Sequence, residues 1–228
     1  MEKRIRIWKI LIDILLYLMV LLLMEFHLLP EIMHEILGIL FFAVFLIHVI
    51  LNRRFYQNLF KGKYSMMRIS LTIIDFLLLL CLLLTMVSSL FVSRVLFSPL
   101  HMNMGMTSRI LHQKGSAYTF VLSSDHLGMH LYLMENRIKR LKEVPKRILL
   151  ISSYFLLLLF SFYGGFVFFQ RRFYEELFFG EVFKEVSQRN PCLYFFGTFC
   201  MSVLFVSITY ILRKLGLCLR KVRKGKKI

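Results

Sequence analysis

The sequence predicts an all-α fold, a polytopic transmembrane helix bundle with about six spans. The composition is 58% hydrophobic and 15% aromatic, the mean hydropathy is +0.67, and several long windows are nearly free of charge. A soluble domain of 228 residues cannot bury so much apolar surface. An apolar helix of about 20 residues crosses roughly 30 Å of hydrocarbon at about 1.5 Å per residue. The predicted spans are 8–29, 33–51, 69–93, 109–134, 147–169 and 191–212.

The formal net charge of +17 indicates membrane topology rather than a nucleic-acid partner. Most of the 30 lysines and arginines lie in four clusters, which precede the first span and follow the second, fourth and sixth. A six-span arrangement places all four clusters on one side, and basic residues concentrate on the cytoplasmic side of membrane proteins. We therefore expect a multi-pass protein of the bacterial cytoplasmic membrane with both termini in the cytoplasm.

The chain is predicted to divide into two parts. Residues 1–135 form a four-span core. Residues 136–228 add two spans, a short extracytoplasmic amphipathic segment at about 171–190 and a basic cytoplasmic tail. The apolar N-terminal run lacks a small-residue cleavage site and is interpreted as an uncleaved span. The cysteines form no CxxC motif and are predicted to be packing residues: Cys81, Cys192, Cys200 and Cys218.

Two spans carry histidines at the same spacing. His34 and His48 form an H-x13-H pattern in the second span, and His112 and His126 repeat it in the fourth. Fourteen residues make nearly four turns, so each pair is about 21 Å apart along the helix and about 40° apart around it. Both spans run from outside to inside, which brings His34 level with His112 and His48 level with His126. Two facing imidazole pairs are the ligand set of two bis-histidine b-type haems, and the core is predicted to bind two haems per chain.

Other interpretations of these histidines remain open. His130 lies five turns after His112, but its depth of about 27 Å does not match the second span. His126 is therefore the predicted ligand, and His130 a neighbour of the ligand or a haem propionate partner. A zinc pair formed by His126 and His130 would lack the glutamate of an HExxH motif. A lone membrane histidine can also serve only in hydrogen bonding between helices.

Small and basic residues accompany the histidines. Gly38, Gly115 and Gly128 follow them within about one turn and would let a porphyrin approach the backbone, or would serve helix packing. Arg109 precedes His112 by three residues and would pair with a propionate, or would be an interfacial charge.

Three aspartates lie within the predicted spans. Asp13 is one turn from Lys9 and is expected to pair with it. Asp75 and Asp125 have two open interpretations: a proton acceptor for a quinol, or a group that orients a neighbouring side chain. His27 lies in an outer turn, where solvent exposure is expected.

A family resemblance follows from three motifs: HE-x2-G-x9-H at 34–48, R-x-LH…AY…H-x-G-x-H at 109–130, and YGGF…RRFYEELFF followed by one more span. The chain resembles a bacterial membrane family first classed as a domain of unknown function and later described as flavinylation-associated cytochromes. The resemblance implies a haem b protein that passes electrons across the membrane, from quinol or a cytoplasmic donor, to extracytoplasmic flavin-carrying proteins. The family's histidines correspond to His34, His48, His112, His126 and His130.

Two other function classes stay open. A ferric-reductase-like transmembrane core also uses paired H-x13-H histidines, but it would need a separate protein to supply a flavin and nicotinamide domain. A non-redox transporter or membrane scaffold would use the polar residues to line a path, although the second and fourth spans contain no proline break. An electron-transfer cytochrome would act by itself or as the membrane subunit of an oxidoreductase.

The predicted orientation can be measured with two cysteines that follow from the sequence. In a background without Cys81, Cys192 and Cys200, a membrane-impermeant maleimide should label His101→Cys from the periplasmic side. The native Cys218 should react only in inverted vesicles, because it follows the last span. Labelling of both residues from the same side would contradict the six-span topology.

Overall fold

The structure is a computed structural model that describes residues 2–62, 64–98, 105–138, 146–179 and 190–225. Throughout these ranges the chain is helical or in connecting turns, with no strand, which confirms the predicted all-α class. A 3-10 turn at Phe26–Leu28 separates the first two helices. The α-helices are α1 (Glu2–Leu23), α2 (Glu31–Leu51), α3 (Arg53–Gln57), α4 (Met66–Val92), α5 (Met106–Ile138), α6 (Lys146–Gln170), α7 (Phe173–Phe178) and α8 (Pro191–Gly225).

Four helices are long and apolar enough to cross a membrane, which indicates a membrane protein. Among the described residues these candidate spans are Glu31–Leu51, Arg68–Val92, Arg147–Gln170 and Pro191–Cys218. The other two long helices, α1 and α5, coincide with predicted spans but are more polar. The first carries Arg6, Lys9 and Asp13, and α5 carries three histidines besides Lys114 and Asp125. The coarse membrane class therefore stands, and the count of six spans stays a prediction.

Helix α5 lies at the centre of the packing. It packs against α4 on one side and α8 on another, while α8 also packs along α6 and α2 packs along α1. Ala117 and Phe120 on α5 are fully buried, and Ser124 is almost fully buried. Their spacing of three and four residues places them on one helix face. The most polar of the long helices is thus enclosed by more apolar ones.

The exposed side chains of α6 form a continuous apolar stripe. Its members recur every three or four residues and are 59–84% exposed: Phe155, Leu158, Phe162, Phe166 and Phe169. A contiguous exposed face of large apolar side chains marks an interaction surface, and for a helix of this length the bilayer is the natural environment.

A sharp turn joins α6 to α7. Arg172 adopts the left-handed conformation, with φ 53°, which is the conformation that commonly terminates an α-helix. The chain then folds back so that Phe173 and Leu177 enter the core, and the Tyr118 hydroxyl donates to the Leu177 carbonyl at 3.0 Å. The predicted amphipathic segment 171–190 thus begins with this short helix, and residues 180–189 lie outside the described part of the chain.

Gly164 is the point of closest approach between α6 and α8. A Cβ atom at this position would lie 2.1 Å from the Cys200 carbonyl oxygen and 2.5 Å from its carbon. The adjacent Gly165 has no neighbouring atom within 4 Å of the same hypothetical Cβ. Contact of two helix backbones through a small residue is a common packing device in membranes.

The two glycines make a matched pair for a stability test. Gly164→Ala should lower the free energy of unfolding by about 1–3 kcal/mol, because backbone atoms of α8 cannot move aside without separating the helices. Gly165→Ala should be neutral or slightly stabilising, since alanine is favoured over glycine in a helix by about 0.5–1 kcal/mol. Thermal melts in detergent would measure both effects. Equal melting temperatures for the two variants would contradict the described α6–α8 contact.

Candidate functional site

The structure brings together the first predicted histidine pair. The ring centroids of His34 on α2 and His112 on α5 are 6.4 Å apart, with an angle of 77° between the ring planes. The two histidines are 78 residues apart in the chain and lie on different helices, and their contact is the pairing that the common spacing predicts. This is the outer pair in the predicted topology.

The geometry of the outer pair fits a metal ion held between two imidazoles. With metal–nitrogen distances of about 2.0–2.1 Å on each side, the ring centroids would be separated by roughly 6 Å. The His112 Nδ1–H donates to the Thr85 carbonyl at 3.1 Å, which leaves Nε2 without a proton in the neutral ring. His34 Nδ1 is buried without a hydrogen-bond partner in the described structure. A hydrogen bond from one ring nitrogen to a carbonyl is the usual support of a metal-binding histidine.

The second predicted pair is held by carboxylates. The His126 Nδ1–H donates to Asp75 Oδ1 on α4 at 2.6 Å, and the His48 Nδ1–H donates to Asp13 Oδ1 on α1 at 2.8 Å. A carboxylate only accepts hydrogen bonds, so in each neutral ring Nδ1 carries the proton and Nε2 carries the lone pair that a metal would bind. The rings of His48 and His126 make no direct contact with each other in the described part of the chain.

His130 lies beside His126 and near the aspartates that hold His126 and His48. Its ring centroid is 4.7 Å from that of His126, one turn earlier on α5. It also lies within electrostatic reach of Asp75, Asp13 and Arg213. The side chains from α1, α4, α5 and α8 therefore converge on one region, the inner level of the predicted topology.

Lys9 does not pair with Asp13, and the expectation of an i,i+4 ion pair is wrong. The Lys9 ammonium donates to Asn52 Oδ1 at 3.1 Å, because Asp13 is turned toward His48. Asn52 also lies beside His48, with its amide nitrogen 3.4 Å from Nε2, a distance at which a hydrogen bond is weak. Asp13 therefore accepts a hydrogen bond from His48 on the neighbouring helix α2.

The predicted glycines occupy different environments. A Cβ at Gly115 would lie 2.6 Å from Thr85 Oγ1, and one at Gly128 would lie 2.6 Å from the Val206 carbonyl oxygen. The helix-packing interpretation describes both positions, and Gly115 lets α4 approach closely enough for its Thr85 carbonyl to reach His112. Gly38 has nothing within 4 Å of its hypothetical Cβ and leaves space on α2 one turn after His34. Arg109 is exposed near the start of α5.

Asp125 faces away from the histidines. The Thr209 hydroxyl of α8 donates to Asp125 Oδ1 at 2.6 Å. Of the two open interpretations, the structure favours a role in joining helices for this residue, whereas Asp75 orients His126.

A buried polar cluster, which was not predicted from the sequence, lies where α1, α6 and α8 meet, on the outer side in the predicted topology. Glu25 is 2% exposed and accepts a hydrogen bond from the Thr198 hydroxyl. Arg171 lies 3.6 Å from Glu25, donates to Thr198 at 2.6 Å and stacks on the Tyr194 ring, with its Cζ 3.5 Å from the centroid. His27 packs edge-on against Tyr194, at 4.5 Å between centroids, so the expectation that it is solvated is wrong.

A second missed cluster joins α5, α6 and α8 at the opposite level. Glu135 is 6% exposed and accepts hydrogen bonds from the hydroxyls of Tyr154, at 2.9 Å, and of Tyr210. The Lys214 ammonium lies 3.6 Å from Glu135 and donates to the Tyr154 oxygen at 3.0 Å. In the sequence, Glu135 and Lys214 look like ordinary residues of a membrane interface. Only the distances in the structure show that both contact the Tyr154 hydroxyl.

Of the two predicted histidine pairs, the structure brings the rings together only at the outer level, within the described residues. Over the part of the chain that the structure describes, no group of three or more histidine, cysteine, aspartate or glutamate residues could hold a metal ion by itself. Comparison with protein-family models, with curated proteins and with solved structures gives no match.

The proximity of the outer pair can be tested independently of any cofactor. In a cysteine-free background with a protease site in the α3–α4 connection, His34→Cys with His112→Cys should be joined by a short bis-maleimide. The two fragments should then stay together after cleavage. His34→Cys with His126→Cys is the matched control and should not be joined, since its cysteines are about 21 Å apart in depth. Cross-linking of the control alone would reverse the described pairing.

Proposed function

We propose that this protein is a membrane b-type cytochrome that holds two haems and transfers electrons across the membrane. The donor would be quinol or a cytoplasmic reductant, and the acceptor an extracytoplasmic flavin-carrying protein. The proposal is supported chiefly by the outer pair, where two histidines from different helices lie with their centroids 6.4 Å apart. Haem, when bound, supplies one-electron chemistry at its iron.

Each side chain has a separate task in this proposal. His34 and His112 would hold the outer haem, with Thr85 orienting the His112 ring through its carbonyl. His48 and His126 would hold the inner haem, with Asp13 and Asp75 orienting their rings. Binding at the inner level would require His48 Nε2 to exchange the weak Asn52 contact for the iron. Arg213 lies within electrostatic reach of His130 at this level.

The surrounding helices supply the environment that such transfer needs. The exposed apolar faces of α2, α4 and α6 suit contact with lipid, and a surrounding bilayer would limit the access of water to the histidine levels. A quinol would release two electrons and two protons on oxidation, and a flavin would take up two electrons with protons from its own side. Because a haem iron carries one electron at a time, the two electrons would cross the membrane in two successive transfers.

The first measurement is a reduced-minus-oxidised visible spectrum of the purified protein, with haem quantified per chain. We expect a sharp b-type α-band and close to two haems per chain from cells supplied with a haem precursor. His34→Ala and His112→Ala should each remove about one haem, and the double variant should remove no more than either single one, because both residues would bind the same iron. The combination of His34→Ala with His48→Ala should remove both.

His101→Ala is the control for these variants. It removes a histidine that belongs to neither pair and should retain both haems and an unchanged spectrum. A colourless wild-type protein would overturn the cytochrome proposal and favour a transporter or scaffold. Bound haem that reduces ferric iron in the presence of a flavin reductase, but does not reduce a flavoprotein, would favour the ferric-reductase-like alternative.

A further inference from the structure

The two histidine levels differ in the charge of the groups that support them. At the inner level, both imidazoles donate from Nδ1 to aspartate carboxylates, at 2.6 Å for His126 and 2.8 Å for His48. At the outer level, His112 donates to a neutral backbone carbonyl at 3.1 Å, and His34 Nδ1 has no partner in the described structure. The inner level therefore has two anionic supports where the outer level has one neutral support.

The charge of such a support changes the electron density of the metal ligand. A carboxylate that accepts the Nδ1–H bond draws the proton toward itself and makes the ring a stronger electron donor through Nε2. A stronger donor stabilises ferric iron more than ferrous iron, which lowers the midpoint potential. A backbone carbonyl has the same effect to a lesser degree, because it bears no net charge.

We propose that Asp75 and Asp13 are positioning residues that make the inner haem the lower-potential centre of the pair. This inference rests on the proposed function. Its consequence is a direction: electrons that enter at the cytoplasmic level would pass downhill to the outer level and leave toward an extracytoplasmic acceptor. Histidines would bind the iron at both levels. The direction of transfer would therefore come from the groups that accept the Nδ1–H bonds of these histidines.

Other charges near the inner level oppose this effect without removing it. Arg213 lies within electrostatic reach of His130, and Lys9 is bonded to Asn52 beside His48. Each cation favours ferrous iron and raises the potential. However, the Lys9 ammonium bonds to Asn52, whereas each carboxylate accepts directly from a ring of the proposed inner pair. Asp75 is the better placed of the two aspartates, because its side chain is 22% exposed and that of Asp13 is 53% exposed.

The test is a spectroelectrochemical titration of the full-length, haem-loaded protein. The His34→Ala background retains only the inner haem, and the His48→Ala background only the outer haem, so each potential is assigned directly. We expect the inner haem to have the lower midpoint. Asp75→Asn keeps an oxygen that can accept the Nδ1–H bond but removes the charge. It should raise the inner midpoint by roughly a tenfold change in the ratio of reduced to oxidised iron, about 59 mV for one electron.

Two further variants separate this role from a merely structural one. Asp125→Asn is the matched control: its carboxylate adjoins His126 in the chain but accepts from Thr209, so the inner midpoint should stay unchanged. Asp75→Glu keeps the charge and should keep the low midpoint. If the Asp75→Asn protein binds less haem, the midpoint potential of the Asp75→Glu protein decides between the two roles. A wild-type-like midpoint in Asp75→Glu supports the proposal, and a raised one contradicts it.

The possible failures are distinguishable. A wild-type chain that binds no haem would overturn the proposed function itself. Two bound haems, with an inner midpoint at or above the outer one, would overturn only the inferred direction. An inner midpoint that responds equally to Asp75→Asn and Asp125→Asn would overturn the role of Asp75, because it would show a general field effect.

Discussion

Helix α5 carries three histidines, four serines and one aspartate, and each of these polar groups would cost several kcal/mol if it lay unpaired in an apolar bundle. Neighbouring helices supply hydrogen-bond partners for several of them. Thr85 and Asp75 of α4 accept from its histidines, and Ser202 and Thr209 of α8 bond to Ser124 and Asp125. These bonds fix the rotation of α4 and α8 about their axes. Their apolar faces are thereby turned outward, so the polar interior of the bundle and its lipid-compatible surface have the same cause.

The sequence predicted the placement of the outer histidine pair because the prediction needed only two quantities. The H-x13-H spacing gives relative depth, and the alternation of basic clusters gives the direction of each helix. The partners of the inner histidines needed a third quantity, the rotation of α1 and α4. Their sequences are nearly uniform runs of leucine and isoleucine around Asp13 and Asp75, so hydrophobic periodicity does not show which face points inward. The expected Lys9–Asp13 pair was wrong for this reason.

The polar clusters at the two ends of the bundle were missed for a different reason. Glu25 and Arg171 lie 146 residues apart, in segments that look like solvated turns, and the packing of both α1 and α6 against α8 brings them together. Burial of both groups is tolerable because the charges neutralise each other and Thr198 and Tyr194 provide further contacts. Local composition thus predicted the membrane class well and the long-range ion pairs not at all.

Helix α2 differs from the other long helices in how little holds it. Phe41 is its only buried residue in the described structure, its main packing partner is α1, and its N-terminal turn is tied by Glu35 to the backbone N–H groups of Arg94, Val95 and Leu96. His34 and His48 are thus carried by a peripheral helix that lies outside the α4–α5–α8 packing. In the proposed cytochrome, a largely apolar porphyrin would enter sideways from the bilayer, between α2 and α5, after the chain has been inserted. The proposed cofactor would thus be added from the lipid phase. The polar face of α5 would not have to be exposed to water during this step.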